Sequence, residues 1–314
     1  MNELRLPTNL ERSQRVLVAG AGGGFDVYAG LPIYARLRSL GREVFLANLS
    51  FALLENTNAQ ALTQALYRVD ATTTGEELYF PERALAQFLS AGSQDACVYA
   101  LSKTGVAPVR EAYAYLARTL ELDAVVLVDG GTDILLRGDE AGLGTPAEDM
   151  TSLAAVSTLD IETRIVACVG FGVDTYHGVC HANWLENVAA LAAENTFLGA
   201  GALLKTMPEV QFYLNAVAAA DSLMARRSSI VNGSIVSAIE GRFGDYHRNA
   251  RIKESKLFIN PLMSLLWMFD LTAVAKRNLY LSRLHNTKSN WDVHLAIAES
   301  SVGITRRAWE AIPH

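Results

Sequence analysis

The chain has 314 residues, of which 50% are hydrophobic and 19% are charged, and its formal net charge is −6. This balance is typical of a globular protein with a large core, and the negative charge argues against nucleic acid or an anionic membrane as partner. Three cysteines are too few for a disulfide framework, and no apolar run reaches the roughly 20 residues of a membrane span. The N-terminus lacks a signal-peptide pattern, so we expect a cytoplasmic location.

The first 180 residues alternate between short apolar runs and helical segments. The apolar runs predict strands at 16–19, 43–47, 97–101, 124–128 and 165–169. Helices are predicted at 31–40, 109–120 and 147–158, and residues 50–95 are expected to be mostly helical. Continuous apolar runs are typical of parallel strands, because helices cover both faces of such sheets. The pattern therefore predicts a doubly wound, mostly parallel, Rossmann-like α/β sheet.

The pattern becomes helical after about residue 181. Helices are predicted at 184–193, 198–204, 209–225 and 271–281, and the stretch 257–259 is compatible with one more strand. Asp270 is expected to cap the last of these helices, and the aromatic run 267–269 is expected to lie in the core. With no low-complexity linker, we expect one α/β domain over 1–314, with a nucleotide-binding core (1–180) and a mainly helical C-terminal part (181–314).

A glycine-rich loop joins the first strand to the first helix, with four glycines in the five positions 20–24. Glycines let the backbone approach a phosphate, which the N–H groups and the helix dipole then hold. The dinucleotide fingerprint is incomplete, since Phe25 takes the third glycine position and no acid ends the second strand. A tight turn without a ligand is the alternative, but the number of glycines favours a small-molecule ligand, with NAD or another adenine nucleotide as candidates. The predicted binding residues here are Gly20, Gly22, Gly23, Gly24, Phe25, Asp26 and Asn48.

A second polar loop begins at Asp129, at the predicted tip of a buried strand, where an unpaired carboxylate is costly. Its candidate partners are Arg137, a ligand hydroxyl or amine, or a divalent ion such as Mg²⁺, and a raised pKa would suit it to general base catalysis. The alternative is a solvated acidic loop, which we accept for Thr145, Glu148 and Asp149 as a helix start with a capping box. Asp129 and Asp133 are predicted to be catalytic, and the adjacent binding residues are predicted to be Gly130, Gly131 and Thr132.

The fifth predicted strand is followed by Asp174, His177 and His181. Asp174 is expected at a strand tip beside glycines, as Asp129 is, and is predicted to share its role. One of the two histidines is predicted to act as an acid, a base or a hydrogen-bond donor, although histidines at a helix start are often surface residues. The spacing with Cys180 does not match a zinc site, so no residue is assigned as a metal ligand.

These motifs together resemble the prokaryotic family of uncharacterised proteins known as domain of unknown function 1152, over nearly the whole chain. The resemblance is carried by Gly20–Val27, Val128–Asp133, Arg137–Glu140, Leu143–Pro146, Glu148–Asp149, Leu185–Asn187, Ile259–Leu262 and Trp267–Asp270. It implies a family label and no activity. A weaker resemblance, to the sirtuin and deoxyhypusine synthase type of nucleotide-binding fold, is carried by Gly20–Gly22 and Gly30–Tyr34. It implies a cofactor-binding fold and no deacylase activity.

The clustering of glycine and carboxylate at strand ends favours an enzyme of small-molecule metabolism that binds a nucleotide or dinucleotide. Hydrolysis or group transfer at a ribosyl or phosphoryl centre is favoured over hydride transfer, because the dehydrogenase fingerprint is broken. Two alternatives remain open, a non-catalytic nucleotide-binding regulatory protein and a metal-dependent hydrolase that uses the acidic loop. A homo-oligomer is compatible with the sequence, which does not specify the oligomeric state.

Overall fold

The computed structural model describes residues 3–75, 78–92, 96–248 and 257–312. The strands are β1 (Arg15–Gly20), β2 (Glu43–Ser50), β3 (Gln60–Thr63), β4 (Leu66–Asp70), β5 (Cys97–Ser102), β6 (Ala124–Gly130), β7 (Thr163–Val169), β8 (Phe197–Ala202), β9 (Gly244–Asp245), β10 (Phe258–Ile259) and β11 (Leu265–Asp270). The helices are α1 (Thr8–Arg12), α2 (Asp26–Ala29), α3 (Leu31–Ser39), α4 (Pro81–Ser90), α5 (Val106–Thr119), α6 (Pro146–Ser157), α7 (His181–Ala193), α8 (Pro208–Leu223), α9 (Ile230–Ile239), α10 (Leu271–Arg277), α11 (Leu281–Leu284) and α12 (Asn290–Ser301). Short 3₁₀ turns lie at 54–56, 133–135, 173–177 and 261–264.

One large sheet runs in the order β3-β4-β5-β2-β1-β6-β7-β11-β8. Its five central strands, from β5 to β7, are parallel, and the strands at both edges pair antiparallel. The predicted mostly parallel α/β sheet is therefore confirmed. From β1 the chain builds outward through β2 to β5 and then returns to place β6 on the other side of β1. This reversal is the topological switch point, where open α/β sheets hold their ligands.

Apolar side chains cover both faces of the sheet. Along β1, Leu17 belongs to the core under α5 and α6, whereas Val16 and Val18 belong to the core under α3 and α8. This alternation follows from the two-residue period of a strand. All seven residues of β6 are buried, which is expected for a central strand covered by helices on both sides.

Several local predictions were wrong. Residues 50–95 contain the hairpin β3–β4 and the helix α4 rather than mostly helix, because β4 is held by antiparallel pairing to β5, a distant segment that local periodicity does not reveal. The predicted helix at 198–204 is β8, where Gly199 has φ +116° and pairs with Met268 of β11. The predicted helical C-terminal elaboration is confirmed by helices α7 to α12, and this part of the chain also adds two strands, β8 and β11, to the sheet.

Other C-terminal predictions were confirmed. Asp270 accepts a hydrogen bond from the N–H of Ala273 and caps α10, which ends at Arg277 instead of residue 281. Phe269 and Met268 are buried within β11, and Phe258–Ile259 forms the short strand β10. Within the described ranges, none of the helices is long and apolar enough to cross a membrane.

Candidate functional site

The loops that follow β1, β6 and β7 bring aspartates to one place at the switch point, and α6 adds another. We call this group the aspartate cluster. Its members are Asp26 at the start of α2, Asp129 near the end of β6, Asp133 and Asp174 in 3₁₀ turns, and Asp149 in the first turn of α6. The sequence predicted four of these five residues to be functional, and they come from segments up to 148 positions apart, from 26 to 174.

Three members of the aspartate cluster form its tightest part. One carboxylate oxygen from each of Asp26, Asp129 and Asp149 lies within 4.8 Å of the other two. Asp129 is 3% exposed and Asp149 is 2% exposed. The Oδ1 atom of Asp149 is buried, and none of the residues that the structure describes offers it a hydrogen bond. Three oxygen ligands that converge in this way fit a hard divalent cation such as Mg²⁺ or Mn²⁺.

Glycines make this close approach of the carboxylates feasible. A Cβ atom on Gly22 would lie 2.8 Å from an oxygen of Asp149 and 2.8 Å from an oxygen of Asp26. A Cβ atom on Gly131 would lie 2.9 Å from Oδ2 of Asp174 and 3.0 Å from Oδ1 of Asp129. Real Cβ atoms do not come this close to oxygen. The glycine-rich segments therefore leave room for the carboxylates themselves.

Backbone N–H groups fix the orientation of four of the five carboxylates. The N–H of Gly22 donates to Oδ2 of Asp26 over 2.7 Å, and that of Ile134 donates to Oδ2 of Asp129 over 3.1 Å. Asp133 accepts from the N–H of Thr145 at 2.6 Å, and Asp174 accepts from the N–H of Thr132 at 2.7 Å. No such bond reaches Asp149 in the described part of the chain. Asp149 is therefore the only one of the five carboxylates that no backbone N–H of the described residues orients.

Burial raises the pKa of every member of the aspartate cluster, and repulsion from other members adds to the shift for Asp26, Asp129, Asp149 and Asp174. Desolvation raises the pKa of Asp26 from 3.8 to about 8, against the opposing N–H of Gly22. Burial is also the main cause of the raised pKa of the other four, and the charges of Asp129 and Asp133 raise the pKa of Asp149 further. Lys103 pairs with Glu148 and Arg137 pairs with Asp139, so neither of these cations is paired with a member of the aspartate cluster. Five carboxylates at such a site hold negative charge at neutral pH only if a cation compensates it.

Asn48, the predicted ligand-binding residue near the end of β2, holds the glycine loop in place through hydrogen bonds. Asn48 is completely buried, and its Nδ2 donates to the carbonyl of Gly24 over 2.8 Å and to Oε1 of Glu82 over 2.7 Å. Its Oδ1 accepts from the N–H of Val27 at 3.3 Å. A Cβ atom on Gly20 would collide with the same carboxamide, and Phe25 packs beside it against Tyr28 and Tyr79. Together these contacts fix the position of Asp26.

Two loop N–H groups that could hold a phosphate are already used. The N–H of Gly22 faces Asp26, as described above, and the N–H of Gly24 donates to the carbonyl of Leu49 over 3.1 Å. A phosphate beside this loop would also meet the carboxylates of the aspartate cluster. These two N–H groups are therefore not free to bind an anion. An anion beside the loop would also need a cation between it and the carboxylates.

The two histidines lie on the outer side of the aspartate cluster. His177 is exposed at the end of the turn 173–177, and its charge acts to lower the pKa of Asp133. His181 is half-buried at the start of α7, with Nε2 2.8 Å from Oγ1 of Thr175, and burial lowers its pKa. Thr132, predicted to bind a ligand, donates its N–H to Asp174 and accepts from the indole of Trp184 at 2.8 Å.

The sequence interpretation missed Asp149. The expected capping box is absent, since the hydroxyl of Thr145 donates to Asp133 at 3.1 Å and Glu148 pairs with Lys103. One sequence signal could have revealed the role of Asp149. It follows Glu148 and is itself followed by Met150 and a run of residues that are almost all small or apolar, which is typical of a helix with a buried face.

Comparisons with known proteins give one match. A family model described as protein of unknown function (DUF1152) matches residues 17–310. No curated protein and no solved structure matches the chain. None of these comparisons supports the weaker likeness to the sirtuin and deoxyhypusine synthase type of fold. The matched region contains the glycine loop and the whole aspartate cluster, and covers nearly the whole chain, so the protein belongs to the family DUF1152.

Proposed function

We propose that the protein is a divalent-cation-dependent enzyme that hydrolyses or transfers a phosphoryl group of a small molecule at the aspartate cluster. The observation that carries this proposal is Asp149, whose carboxylate converges with those of Asp26 and Asp129 and whose buried Oδ1 has no hydrogen-bond partner among the described residues. A buried carboxylate oxygen without a partner costs free energy that coordination to a cation would offset.

The chemistry of the donors supports a hard cation. All three converging groups are carboxylates, and neither cysteine nor histidine is among them. Oxygen-only ligand sets suit Mg²⁺, Mn²⁺ or Ca²⁺ rather than Zn²⁺ or Cu²⁺. Hydride transfer with NAD is less well supported, because the glycine loop holds Asp26 with the N–H of Gly22.

A positively charged cation at the aspartate cluster would also suit a phosphoryl substrate, whose oxygens are negatively charged. A cation bound by three carboxylates can take further oxygen ligands from water and from a phosphoryl group, polarise the phosphorus centre and lower the pKa of the bound water. Asp133 and Asp174 have raised pKa values and adjoin this position, which suits one of them to accept the proton of the attacking water. Their orientation is fixed by Thr145 and Thr132, as general acid–base catalysis requires.

Cation binding is tested first, by isothermal titration of the chelator-treated protein with Mn²⁺. We expect the wild-type protein to bind Mn²⁺, and the Asp149→Asn and Asp129→Asn variants to lose at least about tenfold in affinity. Asp160→Asn, which changes an exposed aspartate, is the matched control and keeps wild-type affinity. A wild-type protein that binds neither Mn²⁺ nor Mg²⁺ would refute the metal centre.

Catalysis is then tested by phosphate release from nucleoside triphosphates, nucleoside diphosphates, pyrophosphate and phosphate monoesters, with Mg²⁺ or Mn²⁺ present. We expect turnover of at least one class by the wild-type protein and its loss in Asp149→Asn. Cation binding without turnover of any class would instead support the non-catalytic alternative and refute the enzymatic part of the proposal.

A further inference from the structure

A cleft of about 450 Å³ lies beside the aspartate cluster, at the carboxyl ends of β2 and β5. Its volume falls within the range of small-molecule sites, roughly 300–1,000 Å³. The side chains that matter for recognition are Phe51, Leu53, Glu55, Ser102, Lys103 and Asn290. The proposed function does not use this cleft.

Two connections join the cleft to the aspartate cluster. Gly22 faces the carboxylates, and the next residue, Gly23, packs against Phe51 in the wall of the cleft, since a Cβ atom there would lie 2.8 Å from Cε1 of Phe51. Lys103, which also lines the cleft, pairs with Glu148, the residue that precedes Asp149. Consecutive Cα atoms are only about 3.8 Å apart. The wall of the cleft and the aspartate cluster are therefore linked at two points through adjacent residues.

The cleft combines an exposed aromatic ring with a positive charge. Phe51 is 45% exposed and Leu53 is 58% exposed, which is unusual for large apolar side chains at the end of a central sheet. The ammonium group of Lys103 lies 5.1 Å from the centroid of the Phe51 ring. Ser102 and Asn290 add a hydroxyl and a carboxamide to the wall, and the carboxylate of Glu55 adds an acceptor.

This set of groups matches the parts of a nucleotide. A planar base gains free energy by stacking on an aromatic ring, ribose hydroxyls need hydrogen-bond partners, and phosphates need cations. The aromatic ring and the polar groups line one cleft, and the aspartate cluster is linked to it through Gly22–Gly23 and through the pair of Lys103 with Glu148. We propose that the cleft binds the base and ribose of a nucleoside diphosphate or triphosphate whose phosphates meet the cation at Asp26, Asp129 and Asp149. This inference rests on the proposed function and specifies its substrate class.

The test compares ligands with and without a base. ADP, GDP, CDP and UDP are titrated in Mg²⁺ by calorimetry against pyrophosphate, which carries the phosphates alone. We expect at least one nucleotide to bind the wild-type protein about 5-fold to 150-fold more tightly than pyrophosphate, the range expected for stacking of one base. Equal affinity for pyrophosphate and all four nucleotides would overturn the inference.

Two variants of Phe51 separate stacking from packing. Phe51→Leu keeps an apolar side chain against Gly23 and Gly24 but has no ring, so we expect it to bind the preferred nucleotide no better than pyrophosphate. Phe51→Tyr keeps the ring and is expected to retain the preference. Pyrophosphate and Mn²⁺ affinities should be unchanged in both variants. A nucleotide preference that survives in Phe51→Leu would overturn the inference.

Mn²⁺ titration distinguishes failure of the inference from failure of the proposed function. Wild-type protein that binds Mn²⁺ but shows no base preference refutes the cleft assignment and leaves the metal centre standing. Wild-type protein that fails to bind Mn²⁺ yet binds a nucleotide in a manner lost in Phe51→Leu refutes the metal centre and supports the cleft assignment.

Discussion

Glu82 offers a quantitative test of how the glycine loop is held. It is completely buried in the first turn of α4, and its Oε1 accepts a hydrogen bond from Asn48, which in turn holds the carbonyl of Gly24. Burial raises the pKa of Glu82 from 4.5 to about 7, although the bond from Asn48 opposes the shift. The loop that positions Asp26 thus rests on a carboxyl group that titrates near neutral pH.

The direction of the pH effect follows from proton binding. Between pH 4.5 and about 7 the native protein binds more protons at Glu82 than the unfolded chain does, so the free energy of unfolding falls as the pH rises through this window. The window spans about 2.5 pH units, each worth about 1.36 kcal/mol, so the loss by pH 7 is about 3 kcal/mol. Below pH 4.5 both states are protonated and the loss disappears.

The assay compares the wild-type protein with Glu82→Gln by urea denaturation in chelator, from pH 4.5 to 7. The glutamine keeps an oxygen for Asn48 but does not titrate, so its stability relative to wild type should increase by about 3 kcal/mol across this range. The pH dependence of the aspartate cluster is common to both proteins and cancels in the difference. Glu111→Gln, at an exposed position, is the matched control and should show a constant difference. A constant difference for Glu82→Gln as well would refute the reasoning.

Three further predictions concern Gly22, Asp149 and the ion pair of Arg307 with Glu140. Gly22→Ala should weaken Mn²⁺ binding about tenfold or more by calorimetry, because its Cβ would lie 2.8 Å from oxygens of Asp149 and Asp26, whereas Gly92→Ala should not. Asp149→Asn should raise the melting temperature of the metal-free protein at neutral pH, because burial raises the pKa of Asp149 well above its usual value and folding must then either bury a charge or take up a proton; a lower melting temperature would contradict this. Arg307→Ala should lower the free energy of unfolding by about 3 kcal/mol in urea titrations, because Arg307 pairs with the completely buried Glu140; a loss under about 0.5 kcal/mol would contradict it.

The sequence predicts the centre of the fold well and its edges poorly. The central parallel strands are continuous apolar runs, such as Val125–Val128 in β6, whose burial on both faces leaves a clear pattern. The edge strands β3 and β4 are short and partly exposed, and β8 contains glycines and reads as part of a helical region. Their conformation is decided by pairing with β5 and β11, so no local window contains the necessary information.

The sequence predicts the site from the positions of the strand ends. This explains why four members of the aspartate cluster were predicted and why Asp149 was missed. Asp129 lies near the end of β6 and Asp174 lies in the loop that follows β7, so their position at the carboxyl edge could be inferred from the strand pattern alone. Asp149 reaches the same place from the first turn of a helix that packs over the sheet. Its position depends on the long loop between β6 and α6, whose path the sequence does not specify. The glycines were predicted to let the backbone approach a phosphate. In the structure they instead leave room for the carboxylates.

The aspartate cluster also links ligand binding to stability. A domain of this size is stable by only about 5–15 kcal/mol, and several buried like charges without a counterion would consume a large part of that. Asp26, Asp129 and Asp174 belong to three different segments; the first two are held by a backbone N–H of their own loop, and Asp174 is held by the N–H of Thr132 in the loop that follows β6. The charged forms of these carboxylates repel one another, which is one cause of their raised pKa values. A cation that draws the carboxylates together would reverse the sign of this interaction, and its binding free energy would appear as folding free energy. The same residues that make the metal-free protein less stable at neutral pH are therefore the ones that would give the cation its affinity.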